Sequence, residues 1–471
     1  MKPWGIVRAS VAVLAGAGLV WGATEATGTA DTTRPADVRA ASGDTTSGQV
    51  TQASLTCAGA DVDGSIQVAS IPQAWAPKAS AGGSVRVQGT AAGDLALQHG
   101  ATAGAKLPSA TTGRVVATGG LAAGLVAGQL HVDSRSVSRG LTLSACGTPV
   151  RSGWFFGGGP QQGRVARLTL VNPAATPSTV DVDVVGSHGV DKSASVAGTV
   201  LAPGQRTVLT LGDFGSDLEA AAVHVTASGA GVVTALTDAW MTGETPVGES
   251  TSGQPVVPAN DLMIPGVRAT AAAPTLRVAV PGQEQAIVRV RAISTSGAVV
   301  ADKVETVDGG GSAALTLNGL AAGSYAVRVT ADVPVAAAVV SRTGVSGTTD
   351  LSWVVPAPAL RGPAGLALPA GVPDVSTQLM LTAPRTAAAE VRTTSASGRS
   401  TTRTVAVRAG HPVALSIDDV RAVWVRPVGK NPVHAGVAIS GHDSSGPLLA
   451  TAPVLPVTLH QATARLIPGR G

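Results

Sequence analysis

The chain of 471 residues contains only two cysteines, Cys57 and Cys146, and each follows a short alternating run that is typical of a β-strand. An even number of cysteines in an exported protein favours disulfide formation, and two cysteines allow a single intramolecular pairing. Closing a loop of about 90 residues is expected to stabilise a fold by roughly 4–5 kcal/mol. The sequence therefore predicts a Cys57–Cys146 disulfide that brackets one domain.

The histidines and aspartates form no clear metal-binding pattern. None of the eight histidines belongs to an HExxH motif or an i, i+4 pair, and the nearest approach to a cluster is His434 with His442 and Asp443. Exposed loop residues are the favoured interpretation of that group. Calcium bound in loops between domains is a less favoured alternative, and its candidate ligands are Asp213, Asp217 and Asp261. We expect neither a metal nor another cofactor.

Local spacing indicates no nucleophile and no acid–base pair. The Gly-x-Ser-x-Gly elbow that marks many serine hydrolases does not occur. The two carboxylates of a glycoside hydrolase can come from distant strands, so Asp181 and Asp183, or Glu244 and Glu249, leave that activity open. Acidic residues are few, and the aromatic residues that could hold a sugar make up only 2% of the chain. We expect that the protein is not an enzyme.

Residues 154–160 read Trp-Phe-Phe-Gly-Gly-Gly-Pro and contain two of the three phenylalanines of the chain. A phosphate-binding P-loop would need Gly-Lys-Ser/Thr, so the glycine run is interpreted as a tight turn or linker. Because each aromatic side chain buries about 150–250 Å², Trp154, Phe155 and Phe156 are predicted to fill a joint between two domains. An exposed interaction platform is the alternative.

Four further tryptophans fall roughly one to a domain: Trp75, Trp240, Trp353 and Trp424. We expect each of them to fill the core of its domain. The alternative is that they form a row on the surface, on which a sugar could stack.

The composition favours small β domains with thin cores. Hydrophobic residues make up 44% of the chain and charged residues 13%, while 59 glycines and 30 prolines punctuate alternating apolar runs. With so few aromatic residues, the cores must be filled by Val, Leu and Ala. The formal net charge of +4 is spread thinly, without the basic stripe and interleaved aromatic residues that nucleic-acid binding needs. We therefore expect no nucleic-acid partner.

The N-terminus has the layout of an export signal, because Lys2 and Arg8 precede an uncharged apolar run over residues 9–23. A run of about 15 residues suits a signal peptide better than the ~20 of a relaxed membrane span. Since Gly28-Thr29-Ala30 is an imperfect cleavage site, residues 1–30 are predicted to be a signal peptide or a signal anchor. Residues 31–50 are predicted to be a flexible tether. The expected location is secreted or on the outer face of the cytoplasmic membrane, with membrane contact only through this segment.

From residue 164 onward, one pattern of strands is repeated three times with a period of about 105 residues, the size of an immunoglobulin-like or fibronectin-like sandwich. Each copy opens with an apolar strand that runs into proline, at 168–173, 276–281 and 379–384. Period-2 alternation and frequent turn residues predict an all-β fold of tandem β-sandwiches. The predicted domains are a disulfide-bracketed β domain at 51–150 and sandwich repeats at 151–267, 268–360 and 361–471.

The Trp-Phe-Phe-x-Gly-Gly block that begins at Trp154, the Asn172-Pro173 turn and the turn at 202–204 resemble a family of secreted actinobacterial proteins classified only as a domain of unknown function. The export segment and the cysteine-bracketed domain extend the resemblance over most of the chain. It implies an envelope-associated β protein without an assigned activity. It also implies a link to surface polysaccharide, because the genes of such proteins often lie beside those of membrane glycosyltransferases. The sparse aromatic content departs from what carbohydrate stacking needs.

Together these features predict a non-enzymatic, exported scaffold or adhesion/interaction protein of the cell envelope, linked to polysaccharide assembly by resemblance. Its partner would be an envelope protein or a polysaccharide. A carbohydrate-binding or carbohydrate-processing envelope protein is the alternative. Burial of Trp154, Trp240 and Trp353, without a cleft that holds two carboxylates, would favour the scaffold. Unpaired strand edges leave the oligomeric state open.

Overall fold

The computed structural model describes residues 46–463 with gaps at 79–81, 136–137, 212–217, 371 and 373. The regular structure of this described part consists of β-strands and one short 3₁₀ turn, Gln73–Trp75, which confirms the all-β class. Within it, no helix is long and apolar enough to cross a membrane. The predicted signal segment and most of the predicted tether lie outside the described residues.

The first sandwich lies between the two cysteines, and the predicted Cys57–Cys146 disulfide is confirmed. The second sandwich follows directly after it. Their strands, with one short strand before them, are β1 (Thr46–Gln49), β2 (Gln52–Cys57), β3 (Gly64–Ser70), β4 (Gly83–Gln88), β5 (Gly93–Leu95), β6 (Thr102–Leu107), β7 (Gly113–Gly119), β8 (Leu125–Arg135) and β9 (Ser138–Ala145), then β10 (Ser152–Phe156), β11 (Arg164–Val171), β12 (Ser178–Gly186), β13 (Gly189–Leu201), β14 (Arg206–Leu211), β15 (Ala222–Ala227), β16 (Val233–Thr242) and β17 (Thr245–Ser252).

The third and fourth sandwiches complete the chain, and a two-stranded ribbon pairs β1 with the last strand. Their strands are β18 (Ala259–Ala269), β19 (Thr275–Ala279), β20 (Ala286–Ser294), β21 (Val299–Val307), β22 (Ser312–Thr316), β23 (Gly323–Arg342) and β24 (Leu351–Val354), then β25 (Ala364–Ala367), β26 (Val375–Thr382), β27 (Ala387–Ser395), β28 (Ser400–Val407), β29 (Val413–Ser416), β30 (Val420–Val428), β31 (His434–Asp443), β32 (Gly446–Pro453), β33 (Leu455–Pro456) and β34 (His460–Thr463).

All four sandwiches share one strand order. In each, one sheet runs first–sixth–third–fourth strand and the other runs fifth–second–seventh–eighth, with β23 serving as both sixth and seventh strand of the third sandwich. The first strand therefore pairs with the sixth, whereas in the immunoglobulin sandwich it pairs with the second. The three predicted copies thus have a fourth equivalent, because the disulfide-bracketed domain has the same topology.

Two segments lie differently from the sequence-based expectation. Strand β18, which falls in the predicted repeat at 151–267, pairs with β23 and opens the third sandwich. Its Pro265 sits at an irregularity in the strand pairing, where a missing N–H is tolerated, so proline did not mark a strand end here. At the end of the predicted tether, Val50 is 5% exposed because it fills the first core, and its N–H donates to the Leu459 carbonyl.

The four sandwiches contact one another in a closed cycle, within the compact unit Gln49–His460. Their eighth strands, β9, β17, β24 and β32, meet in the middle, where each contacts the next and β32 contacts β9. Apolar side chains cover each junction. These are Ala58 with Val171 and Val233 between the first and second, Phe156 with Trp353 between the second and third, Met263 with Met380 between the third and fourth, and Trp75 with Trp424 between the fourth and first.

Candidate functional site

Strand β10 carries the aromatic block to the joint between the second and third sandwiches. Because successive side chains of a strand point to opposite faces, Phe155 enters the core of the second sandwich while Trp154 and Phe156 face the joint. Trp154 stacks on His224 with ring centroids 4.6 Å apart, and Phe156 lies 6.3 Å from Trp353. The structure thus places two of the three aromatic residues between domains and one inside a domain.

A buried carboxylate, Asp238 on β16, lies at the centre of this joint. It accepts two hydrogen bonds from Arg164, at 2.9 and 2.6 Å, and a third at 2.8 Å from Nε1 of Trp353 in the third sandwich. Complete burial acts to raise the pKa of Asp238, but the charge of Arg164 and the hydrogen bonds from Arg164 and Trp353 outweigh it and lower that pKa. Asp238 is therefore an anion fixed by three donors.

The glycine run after the aromatic block receives an arginine of the third sandwich. Arg277 on β19 is 4% exposed and donates to the carbonyl oxygens of Gly157, Gly158 and Ala221, at 2.8–3.2 Å. A Cβ at Gly159 would lie 3.1 Å from Nη1 of Arg164 and 3.2 Å from Nη2 of Arg277. Oε1 of Gln161 would lie closer still, at 2.4 Å, so the ends of three side chains approach the backbone at this glycine.

Two further contacts give these arginines aromatic neighbours. The guanidinium of Arg277 lies 5.0 Å from the centre of the Trp353 ring, a cation–π distance. Burial and the charge of Arg164 lower the pKa of Arg277 to about 9, which still leaves it positively charged at neutral pH. The half-buried indole of Trp240 is approached by both Arg164, at 5.1 Å, and Arg342, at 4.9 Å.

A cavity of about 540 Å³ opens beside these side chains, between the second and third sandwiches. Its charged lining consists of Arg164, Arg277, Arg342 and Glu219, and Trp240 forms part of its wall. We call it the arginine cavity. Its size is that of a small-molecule site, and its charge is predominantly positive. Sequence reasoning missed it because its arginines come from three strands that are 65 or more residues apart in sequence.

A second buried polar centre lies where all four sandwiches meet. The carboxyl group of Asp350, just before β24, is 0% exposed, and its oxygens accept hydrogen bonds from backbone N–H groups of each sandwich: Leu141, Glu249, Leu351 and Leu449. The bonds from Leu141, Leu351 and Leu449 measure 2.8–3.0 Å, and that from Glu249 is 3.4 Å. One side chain thus joins the eighth strands of all four sandwiches.

Glu249, considered above as a candidate acid, is 3% exposed and holds the first and second sandwiches together. Its carboxylate accepts a short hydrogen bond from Ser138 of β9, lies 3.5 Å from Nε2 of His131 and pairs with Arg167 at 3.1 Å. Arg167 in turn contacts Asp61 at 3.4 Å. Glu249 is therefore a structural contact between domains, since protein groups already occupy its oxygens.

The histidine group singled out in the sequence does not converge. Nδ1 of His434 lies 2.8 Å from the Ala357 carbonyl oxygen, and Asp443 pairs with Arg139 of the first sandwich at 2.6 Å. Among the described residues, no three His, Cys, Asp or Glu side chains are placed to hold a metal ion. Asp261 pairs with Arg328, while Asp213 and Asp217 lie outside the described residues.

Most of the tryptophans considered for a surface row that stacks on sugar are buried. Trp154, Trp353, Trp75 and Trp424 are 6%, 3%, 8% and 0% exposed, and each lies in a contact between sandwiches. Trp240 is half-buried, with arginine side chains over its ring. Four of these five rings are therefore closed to a flat contact with a sugar, and the fifth, Trp240, is shared with two guanidinium groups.

Comparison with known proteins gives a family but no described activity. Residues 101–418 match the family described as "Family of unknown function (DUF5719)". No curated protein matches the chain. Two solved structures are similar at low level: a tetra-tandem repeat in the extending region of a large adhesion protein (14% identity, TM-score 0.12, 86% of this chain and 94% of that chain) and the infectious bursal disease virus Gt strain structure (10% identity, TM-score 0.12, 91% and 88%). These TM-scores are too low to support an argument about fold or function.

Proposed function

We propose that this chain, which belongs to the family of unknown function DUF5719, is an exported, non-enzymatic scaffold or interaction protein of the cell envelope. The observation that carries the proposal is the position of Asp350, whose carboxyl oxygens accept hydrogen bonds from backbone N–H groups of all four sandwiches. A shared buried centre of this kind opposes movement of one domain against another. The unit is suited to present fixed surfaces to a partner.

The cyclic contact pattern supports a platform rather than an extended spacer. In a spacer the first and last domains would be far apart, but here Arg139 of the first sandwich donates to Asp443 and to the Pro447 carbonyl of the fourth. Trp75 and Trp424 close the same junction with apolar contact. Such a unit would not lengthen under load in the way of a string of domains.

Export is supported by the Cys57–Cys146 disulfide, because structural disulfides persist in oxidising compartments. The N-terminal charge and hydropathy pattern points the same way. The proposed absence of catalysis is supported by the carboxyl groups of Asp238, Glu249 and Asp350, which are buried and bound by protein donors rather than directed at a cleft. The partner we propose is an envelope protein or a polysaccharide.

Carbohydrate processing is the less favoured function. A glycosidase site needs two carboxylates across a sugar and aromatic walls that hold it. Trp154 and Trp353 are instead buried in the joint between sandwiches, and Asp238 is paired with Arg164. The proposed link to polysaccharide assembly therefore concerns assembly or presentation and not cleavage.

Fractionation of producing cells tests the proposal. We expect the full chain in the envelope or the medium, accessible to protease added to intact cells, with Cys57 and Cys146 resistant to alkylation until reduced. A matched chain without residues 1–30 should remain inside the cell. Recovery of the intact chain in the cytosol with two free thiols would overturn the proposed location.

The scaffold role is tested separately by cross-linking on intact cells. The full chain should cross-link to a defined envelope component, and the Asp350→Ala variant should lose that cross-link at the same expression level because the sandwiches are no longer fixed. Turnover of envelope glycans by the purified chain would contradict the non-enzymatic role.

A further inference from the structure

The three arginines of the arginine cavity differ in their hydrogen-bond partners. Arg164 is paired with Asp238 and also donates to Oε1 of Gln161 at 2.9 Å. Arg277 donates to three backbone carbonyl oxygens. These two side chains are fully engaged by the protein, and they hold the wall of the cavity in place.

Arg342, the last residue of β23, is different. Its guanidinium lies over the Trp240 ring, but its Nε is buried and has no hydrogen-bond acceptor among the described residues. No carboxylate of the described chain pairs with this side chain, and burial, together with the charge of the nearby Arg164, lowers the pKa of Arg342. A half-buried guanidinium without an acceptor is costly. Because Nε itself is enclosed, a bound oxyanion would reach this cavity-lining side chain through its Nη groups.

The remaining lining indicates what kind of molecule would fit. Ser312, Thr275 and Thr316 supply hydroxyl groups, while the Trp240 ring is already covered by guanidinium groups. A ligand would therefore be held by charge and hydrogen bonds rather than by stacking. A volume of about 540 Å³ accommodates a molecule of monosaccharide size.

We propose that the arginine cavity binds the oxyanion of a small polar molecule, a carboxylate or a phosphate group, with Arg342 as the principal donor. Arginine presents a planar pair of N–H groups that matches either oxyanion. Arg277 keeps the local potential positive, since Asp238 balances the charge of Arg164, and Glu219 at the exposed edge disfavours molecules with additional negative charge there. This site does not depend on the proposed export or scaffold role.

Calorimetric titration of the full chain at low salt tests the site, with glucuronate, glucose 1-phosphate and inorganic phosphate as probes and neutral glucose as the matched control. We expect one-to-one binding of at least one oxyanion probe and no binding of glucose. If inorganic phosphate binds as well as glucose 1-phosphate, the oxyanion alone is recognised. If glucuronate binds best, the site takes an acidic sugar.

Substitutions at Arg342 test whether the probe binds in the arginine cavity. Arg342→Gln should lower the affinity for the probe by about tenfold or more. Arg342→Lys keeps the charge but not the planar pair of N–H groups, so it should give an intermediate loss of affinity. Arg408→Gln, an exposed arginine of the fourth sandwich, changes the net charge equally and should bind like the wild type. Equal affinity in Arg342→Gln and Arg408→Gln would overturn the proposal.

A second measurement follows Arg342 in the wild-type chain and so does not depend on how a variant folds. The Nε–H resonance of Arg342, identified by its absence in Arg342→Lys, should shift with the probe while that of Arg408 stays fixed. Failure of every probe to bind or to shift this resonance overturns the site.

Discussion

Trp353 Nε1 donates a hydrogen bond of 2.8 Å to Oδ2 of Asp238, across 115 residues and between two sandwiches. The same indole packs near Phe156 and lies under the guanidinium of Arg277. Trp353 of the third sandwich thus contacts both Asp238 and Phe156 of the second, and it packs against the arginine that binds the glycine carbonyl oxygens. The joint is specified by polar geometry as well as by apolar burial.

Replacement of Trp353 by Phe tests this bond. The ring packing is largely kept, but the buried anion Asp238 loses one donor, so we expect the free energy of unfolding to fall by about 1.5–3 kcal/mol beyond the cost of the smaller ring. Trp424→Phe is the matched control, because Trp424 is equally buried and its Nε1 has no partner among the described residues. Denaturant unfolding measures both. Equal losses in the two variants would show that the bond contributes nothing.

Gly140 on β9 marks where a strand of the first sandwich passes the backbone of the second. A Cβ there would meet the Glu249 backbone at 2.4 and 2.6 Å and Oδ1 of Asp350 at 2.8 Å. Backbone cannot yield as a flexible side chain can, so Gly140→Ala should destabilise the chain by about 1–3 kcal/mol or more.

Gly362→Ala is the control for that prediction, because a Cβ at Gly362 meets nothing within 4 Å. Thermal unfolding should show a lowered midpoint for Gly140→Ala and little change for Gly362→Ala. If both variants melt like the wild type, the eighth strands do not pack as closely as described.

Removal of the disulfide by the double substitution Cys57→Ala/Cys146→Ala should lower stability by about 4–5 kcal/mol, since the closed loop spans 89 residues. The first sandwich contributes to the junctions with both the second and the fourth, so we expect that its destabilisation will lower the stability of the whole unit. We expect a single unfolding transition at lower denaturant. A separate early transition, with the other three sandwiches unchanged, would mean that the cycle of contacts is weak.

The fold class was accessible from sequence because it rests on local signals. Alternation of apolar residues, turns at glycine and proline, and the cysteine pair each act over a few residues, and they gave the sandwiches and the disulfide. The disulfide-bracketed domain was predicted as a β domain, but not as a further copy of the repeat, although the signal of the repeat is present there. Strand β3 runs through Ile71 into Pro72, the same apolar strand into proline that opens the later copies.

The joints were less accessible because their partners are distant in sequence. Nothing local to Arg277 indicates that it will donate to the carbonyl oxygens of Gly157 and Gly158, which lie about 120 residues earlier. Asp350 follows Thr348-Thr349 in a segment that looks like an ordinary polar turn. Sequence pattern predicts which face of a strand is buried, but it does not say which other domain covers that face.

Asp350 makes stability depend on pH in a direction opposite to that of most aspartates. Burial raises its pKa to about 8, although the backbone N–H groups of Leu141, Leu449, Leu351 and Glu249 act to lower it. In the unfolded chain the pKa of an aspartate is about 3.9. Between these values the folded state binds a proton that the unfolded state does not, so the contribution of Asp350 to stability is largest at low pH and falls as pH rises from about 4 to about 8.

The substitution Asp350→Asn removes this titration. Its amide cannot ionise, so the difference in unfolding free energy between wild type and variant should shrink as pH rises from 5 to 8, while ionisable groups common to both cancel. The variant should also be less stable than the wild type at pH 5, because the amide N–H₂ group faces backbone N–H donors that need acceptors. Denaturant midpoints at several pH values measure both effects. A difference that stays constant over this range would mean that Asp350 is already ionised in the folded state, with the four N–H groups outweighing its burial.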